Sequence, residues 1–158
     1  MEVNITHLDQ VRFAIHSRSH SIICDQPAEN GGEDTGMTPP ELLLASLGSC
    51  AAFYAVQYLK SRNLAESGVE VSVTADKLKQ PTRIGNFRIL VKCPISLTED
   101  QKEGLMRSVH HCLVHNTLLV LQLQMAVAEG VGGFNPLKTG PNLGAFRPGS
   151  KPSEQIQL

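Results

Sequence analysis

The stretch at 38–62, TPPELLLASLGSCAAFYAVQYLKSR, decides the fold of this chain. Thr38 is a favourable N-cap, Pro39 stands at the first helical position, and Glu41 completes a T-x-x-E capping box. The pattern predicts a helix from Pro39 to the end of this stretch, roughly 36 Å long at about 1.5 Å per residue. Because residues 42–59 are apolar on most sides, we expect the helix to be buried.

Strand-like and loop-like segments precede this helix. Val11, Phe13 and Ile15 alternate with other residues, and an apolar run resumes at residues 22–23, which predicts two strands. Residues 25–37 are rich in Gly, Pro, Asn and Asp, a composition typical of a loop.

The segments that follow the helix extend the pattern. Alternation in VEVSVTA and IGNFRILVKC predicts a β-hairpin whose turn lies in DKLKQPTR. A T-x-x-Q box at Thr98 and Gln101 predicts a second helix, which runs through EGLMRSVHHC and, after a permitted break, into LVHNTLLVLQ. A last strand is expected at 123–128. The order predicts an α+β fold, an antiparallel sheet packed on a long buried central helix. We divide the chain into a domain at 1–131 and a Gly/Pro-rich arm or tail at 132–158.

The composition excludes several classes of protein. The chain has 158 residues, 41% of them hydrophobic, which suits one domain with its own core. Its 14 basic and 15 acidic residues give a net charge of −1, without the basic face of a nucleic-acid binder or the basic cluster of a membrane-surface binder. The N-terminus lacks the pattern of a signal peptide, and no apolar stretch approaches the roughly 18–20 residues of a membrane span. We therefore expect a cytoplasmic protein.

Four cysteines are candidates for chemistry in a reducing compartment. Cys24 and Cys93 lie in strand-like segments and are interpreted as small apolar residues. Cys50 lies on the central helix among small residues, where either a structural or a reactive thiol would fit. Gly48 inside the helix costs about 1 kcal/mol relative to Ala, so it requires a packing or functional reason.

The second candidate, Cys112, lies in SVHHCLVHNTL next to histidines. An imidazolium near a thiol lowers the pKa of that thiol and favours the nucleophilic thiolate. The same residues allow an alternative, because His111 and His115 are four apart on a helix with Cys112 in the same turn, a spacing that suits a metal site.

Three segments together resemble one family. TPPELLLASLGSCAA resembles the first cysteine motif of the OsmC/Ohr (organic hydroperoxide resistance) family, and HHCLVHNTL resembles the second. RSHSIICDQPAENGGEDTGMTPPELL resembles the strand and loop that lead to the first motif. The resemblance covers most of residues 10–130. It implies an OsmC-like fold, an intertwined homodimer and an active site built from both subunits.

The resemblance also implies a reaction. Cys50 corresponds to the peroxide-reactive cysteine and Cys112 to the resolving cysteine of a thiol-dependent peroxidase. Such an enzyme reduces organic hydroperoxides or hydrogen peroxide without metal or cofactor and is recycled by a thiol or dithiol reductant. Arg18 is the best match to the family's arginine near the thiol, and His20 or His110 are other possible cations.

One position departs from the family pattern. The hydroperoxide-specialised branch carries an acidic residue directly after the first Pro of the helix, where this chain has Pro40. Glu41 follows one residue later, on the helix face opposite Cys50, and is interpreted as a cap. The chain therefore resembles the broader OsmC-like branch, and a non-catalytic small-molecule-binding protein remains an alternative.

Overall fold

The computed structural model describes residues 1–119. Within them, antiparallel strands and helices confirm the predicted α+β class. The strands and α-helices are β1 (Asn4–Asp9), β2 (Arg12–Ser17), β3 (His20–Cys24), α1 (Pro39–Ser61), β4 (Glu70–Lys79), β5 (Thr82–Lys92), α2 (Glu99–His110) and α3 (Leu113–Leu119). The predicted strand at 123–128, the domain boundary at 131 and the arm at 132–158 lie outside the described residues.

Helix α1 begins as the sequence predicts. The backbone N–H and the hydroxyl of Thr38 both donate to the Glu41 carboxylate, at 2.7 and 2.8 Å. Pro39 occupies the first helical position, where a missing N–H costs nothing. The helix ends at Ser61, one residue before the predicted limit, because the Arg62 N–H donates to the Leu59 carbonyl as a C-cap.

Within the described residues of the single chain, the burial of α1 is one-sided. Ala51, Ala55 and Leu59 are fully buried, whereas Phe53 keeps 58% of its surface exposed. The buried side packs on the β4–β5 hairpin and on α2, where Leu105 joins the core. Within the described chain, the opposite side of the helix is left partly uncovered.

The apolar character of α1 is also stronger than the sequence analysis allowed. By length and composition, this is a helix that could span a membrane, with a mean hydropathy of 1.5 over 18 residues. The core helix of a soluble protein has the same composition. A third of that window is buried inside the described chain.

The β4–β5 hairpin is longer than predicted. The ladder runs from Glu70↔Lys92 to Lys79↔Thr82, so most of the segment predicted as a turn is strand. One irregularity interrupts the register, near Asn86, whose φ is 52°. The hairpin continues past this bulge because both strands keep antiparallel pairing on its far side.

The N-terminal sheet has the order β1-β2-β3 and is antiparallel throughout. The sequence analysis predicted β2 and β3 but missed β1. All six residues of β1 are exposed, so the strand lacks the buried, alternating side chains that identify a strand in a sequence. Strand β1 instead owes its extended conformation to antiparallel pairing with β2 at the edge of the sheet.

The loop between β3 and α1 is organised by one buried carboxylate. Asp25 is 1% exposed and accepts hydrogen bonds from the Thr35 N–H and hydroxyl and from the N–H groups of Gln26 and Glu33. The Thr35 N–H first, and then the other donors, hold the pKa of Asp25 at about 2. Gly32 lets the backbone approach closely, since a Cβ there would lie 1.9 Å from the Gln26 carbonyl oxygen. These contacts fix the path of the chain into the start of α1.

Candidate active site

Cys50 lies near the middle of α1 and is half-buried. Two residues earlier, on the other side of the helix, a Cβ on Gly48 would lie 2.9 Å from Cγ2 of Val73 on β4. The absence of a side chain at position 48 therefore allows β4 to pack closely against the helix. This is the packing reason that the sequence required for a glycine inside a helix.

Cys112 lies at the break between α2 and α3, and its side chain is fully buried. The break arises because the N–H groups of His111 and Cys112 turn back to the carbonyls of Ser108 and Val109, at 3.0 and 2.9 Å. The Ser108 hydroxyl donates to the Tyr54 carbonyl at 3.1 Å and so ties α2 to α1 beside Cys50. The fold thereby brings Cys112 to Cys50.

The two thiols lie close enough to shift each other's pKa. Burial would raise the pKa of Cys50, but hydrogen bonds from the Cys112 thiol and from the N–H groups of Val114 and Leu113 outweigh it. The pKa of Cys50 therefore lies below its ordinary value. Polar hydrogens near a sulfur favour its anionic form.

The pKa of Cys112 is shifted in the opposite direction, above its ordinary value. Burial and the hydrogen bond to Cys50 raise the pKa of Cys112, and the N–H of His115 offsets this only in part. The pair is thus polarised, with Cys50 favoured as the thiolate and Cys112 as the thiol that donates to it. Burial raises the pKa of Cys24 and of Cys93, as expected of thiols that serve as small apolar residues.

The structure does not bring the predicted cations to Cys50 within the chain. Arg18 lies in the exposed β2–β3 turn with a φ of 54°, and His20 is exposed at the start of β3. Neither is among the groups that shift the pKa of Cys50. His110 is exposed at the end of α2 and is likewise not one of these groups.

Glu41 accepts two hydrogen bonds from Thr38 at the start of α1. Hydrogen bonds from the N–H and the hydroxyl of Thr38 lower the pKa of Glu41. Its carboxylate is committed to the capping box, as the sequence predicts.

The histidines around Cys112 do not form the alternative metal site. The imidazole of His115 lies next to that of His110, with ring centroids 5.7 Å apart, and not next to that of His111. Residues 1–119 contain no group of three or more His, Cys, Asp or Glu side chains that could hold a metal ion.

The sequence analysis missed the donors that favour the Cys50 thiolate. It expected a cationic side chain, whereas the structure supplies backbone N–H groups from Leu113 and Val114. The sequence signal was the possible break in HHCLVH, because a break exposes the first N–H groups of a new helix. Nothing in the sequence indicated that those groups would face Cys50.

A family model described as "OsmC-like protein" matches residues 31–124. The match contains both Cys50 and Cys112 and covers more than half of the chain. The chain therefore belongs to the OsmC-like protein family. No curated protein matches it.

Three solved structures share the fold. A protein of Psychrobacter arcticus 273-4, assigned to osmotic stress and detoxification responses, is 20% identical with a TM-score of 0.67, covering 73% of this chain and 85% of that chain. An OsmC-like protein of Mycoplasma pneumoniae is 20% identical with a TM-score of 0.60, covering 76% and 87%. The organic hydroperoxide resistance protein OhrB of Bacillus subtilis is 21% identical with a TM-score of 0.52, covering 73% and 88%. At these identities the likeness establishes the OsmC-like fold.

Proposed function

We propose that this protein is a thiol-dependent peroxidase in which Cys50 reacts with the peroxide and Cys112 resolves the product. The observation that carries the proposal is the contact between the two thiols, with the pKa of Cys50 lowered and that of Cys112 raised. The thiolate is the nucleophilic form of cysteine, so the direction of these shifts assigns attack to Cys50.

The reaction has two steps. The Cys50 thiolate attacks the O–O bond of the peroxide, and the departing oxygen takes a proton and leaves as an alcohol or water, which gives a sulfenic acid on Cys50. Cys112 then attacks that sulfenic acid, a disulfide forms and water leaves. The proximity of the two thiols, which shift each other's pKa, supports the second step. A thiol or dithiol reductant of the cytoplasm returns the pair to two thiols.

A peroxide assay with mass spectrometry tests this proposal. One equivalent of cumene hydroperoxide or hydrogen peroxide should convert the wild type to a Cys50–Cys112 disulfide. Cys50→Ser should abolish peroxide consumption, whereas Cys112→Ser should allow about one turnover and accumulate oxidised Cys50. Cys93→Ser is the matched control, a half-buried thiol with a raised pKa, and should react like the wild type. Full activity in both Cys50→Ser and Cys112→Ser contradicts the proposal.

The name of the Bacillus subtilis relative links that protein to organic hydroperoxides. In this chain, Glu41 is held by Thr38 in the capping box, and Pro40 takes the place of the acidic residue of the hydroperoxide branch. We propose organic hydroperoxides as the first substrates to test, with hydrogen peroxide as the comparison.

We propose that the working form is a homodimer. Large apolar side chains are exposed in the single chain, among them Phe53 at 58%, Ile5 at 60% and Ile22 at 50%. Ile5, Ile15 and Ile22 lie opposite one another across the N-terminal sheet, which gives this sheet an apolar face. A second copy that covers these surfaces would also be the source of a cation such as Arg18. A monomer at every concentration in analytical ultracentrifugation excludes this.

A binding protein is the second candidate. A groove of about 300 Å³ runs along α1 between Leu44 and Ala52 and is closed on one side by Val71 and Val73. Gly48 lies in its floor, on the side of α1 opposite Cys50, so the groove does not serve the thiols. Thiols that stay inert to peroxide, together with a small apolar ligand retained on purification, favour this function.

A further inference from the structure

Cys112 occupies the N-cap position of α3. It directly precedes Leu113, its carbonyl accepts the Asn116 N–H at 3.0 Å, and its sulfur accepts the His115 N–H at 3.4 Å. Ser, Thr, Asp or Asn normally make this bond from a side-chain oxygen to the third N–H of a helix. The sulfur of Cys112 thus caps α3 while its thiol faces Cys50.

Cys50 approaches the same helix end from α1. The first N–H groups of a helix have no partner within the helix, and here those of Leu113 and Val114 lie close enough to the Cys50 sulfur to lower the pKa of Cys50. The start of α3 therefore lies against both reactive sulfurs, and its third N–H is bonded to that of Cys112. None of the described residues of α3 is buried, and Leu113 is 63% exposed, so core packing contributes little to holding this turn.

Oxidation changes both acceptors. In the proposed reaction, Cys50 and Cys112 together lose two electrons to the peroxide, the Cys112 S–H proton and one proton from solvent leave in the alcohol and water, and one S–S bond of about 2.05 Å forms. The Cys50 sulfur loses its negative charge, and bonds to an ionised acceptor are roughly twice as strong as neutral ones. The Cys112 sulfur is also drawn from its place over the His115 N–H towards α1.

We propose that oxidation of the Cys50–Cys112 pair uncaps α3, so that its first turn opens and admits the dithiol that reduces the disulfide. This inference rests on the proposed peroxidase function. A reductant needs an open approach to one sulfur, and the side chain of Cys112 is fully buried in the closed arrangement. Reduction restores both sulfur acceptors, and the turn closes again over the thiols.

Amide hydrogen exchange tests the proposal. It is measured by NMR on two samples of the full chain, one with the Cys50–Cys112 pair reduced and one with the pair oxidised. Exchange of the amides at 113–116 should become about two- to thirty-fold faster on oxidation, the Boltzmann factor of the usual contribution of an N-cap. The Lys102 amide, bonded to the Thr98 carbonyl in the first turn of α2, is the internal control and should not change. Unchanged or slower exchange at 113–116 overturns the proposal, since a cross-link that only stiffens the site would slow it.

Two variants separate the cap from the cross-link. Cys112→Ser keeps an N-capping acceptor but forms no disulfide, so its His115 amide should exchange at the same rate before and after peroxide. Cys112→Ala removes the acceptor, so its His115 amide should exchange as fast without peroxide as that of the oxidised wild type. Equal exchange in the two reduced variants refutes the capping role, and backbone spectra that match the wild type outside the site confirm that both are folded.

The choice of oxidant distinguishes this proposal from the peroxidase itself. Diamide oxidises neighbouring thiols directly, without peroxide chemistry. A disulfide formed by diamide but not by peroxide contradicts the proposed function while the exchange comparison still tests the uncapping. If neither oxidant forms the disulfide, the pair cannot act as a switch and the uncapping is refuted.

Discussion

The effect of Cys112 on the pKa of Cys50 makes a quantitative prediction about the nucleophile. Cys112→Ala removes one of the three groups that lower the pKa of Cys50 and leaves the N–H groups of Leu113 and Val114. A hydrogen bond to a charged group contributes about 1.5–3 kcal/mol. Since 1.36 kcal/mol corresponds to a factor of ten, the thiolate fraction of Cys50 at a fixed pH below its pKa should fall about ten- to hundredfold.

The assay is the rate of Cys50 alkylation by iodoacetamide as a function of pH, followed on the Cys50 peptide by mass spectrometry. In the wild type this rate should rise with pH and level off below the ordinary range of a thiol, because the lowered pKa stabilises the thiolate. In Cys112→Ala the curve should move to higher pH, whereas Cys112→Ser, whose hydroxyl can donate, should stay near the wild type. Cys93→Ala controls for the loss of a thiol elsewhere. Coincident curves for wild type and Cys112→Ala refute this effect of Cys112 on the pKa of Cys50.

Three further changes test the fold around the site. Glu41→Gln should preserve the capping box and leave thiol kinetics unchanged, whereas Glu41→Ala should lower the free energy of unfolding by up to about 1 kcal/mol; a change in the Cys50 pKa in either variant would make this carboxylate part of the site. Gly104→Ala places a Cβ 2.4 Å from Oη of the buried Tyr58. This overlap should lower the free energy of unfolding in urea by about 1–3 kcal/mol, and the better helix propensity of Ala should offset about 1 kcal/mol of that loss. Adding Tyr58→Phe should recover part of this loss, and no recovery would mean that the hydroxyl is not the obstacle. The pKa of Asp25 is lowered from 3.8 to about 2, so its contribution to stability is full above about pH 4 and is lost as the pH falls towards 2. Asp25→Asn should remove that part of the acid dependence in thermal unfolding, and an unchanged profile contradicts it.

The family and the helix carrying Cys50 could be predicted from sequence because their signals are local. The capping box of Thr38 and Glu41 and the one of Thr98 and Gln101 each lie within four residues, and both form as predicted. Strand β2 was predicted from the alternation of Phe13 and Ile15 with other residues. The exposed strand β1 was missed because only its pairing with β2 makes it a strand.

The arrangement of the thiols could not be predicted in the same way. Cys50 and Cys112 were each found by their surroundings in sequence, but their roles were implied only by resemblance to the family. The hydrogen bond between them, and the N–H groups of Leu113 and Val114 that add to it, exist only once α2, its break and α3 pack against α1.

The sequence by itself thus determined the helices, most of the strands and the two candidate cysteines, because side-chain periodicity and capping act over one or two turns of chain. Only the tertiary structure decided which groups act on which sulfur. It directed backbone N–H groups at Cys50, placed His115 beside His110, and left Arg18 exposed in the β2–β3 turn. The physical reason is that a pKa depends on groups within a few ångströms, and residues far apart in the chain become neighbours only through packing.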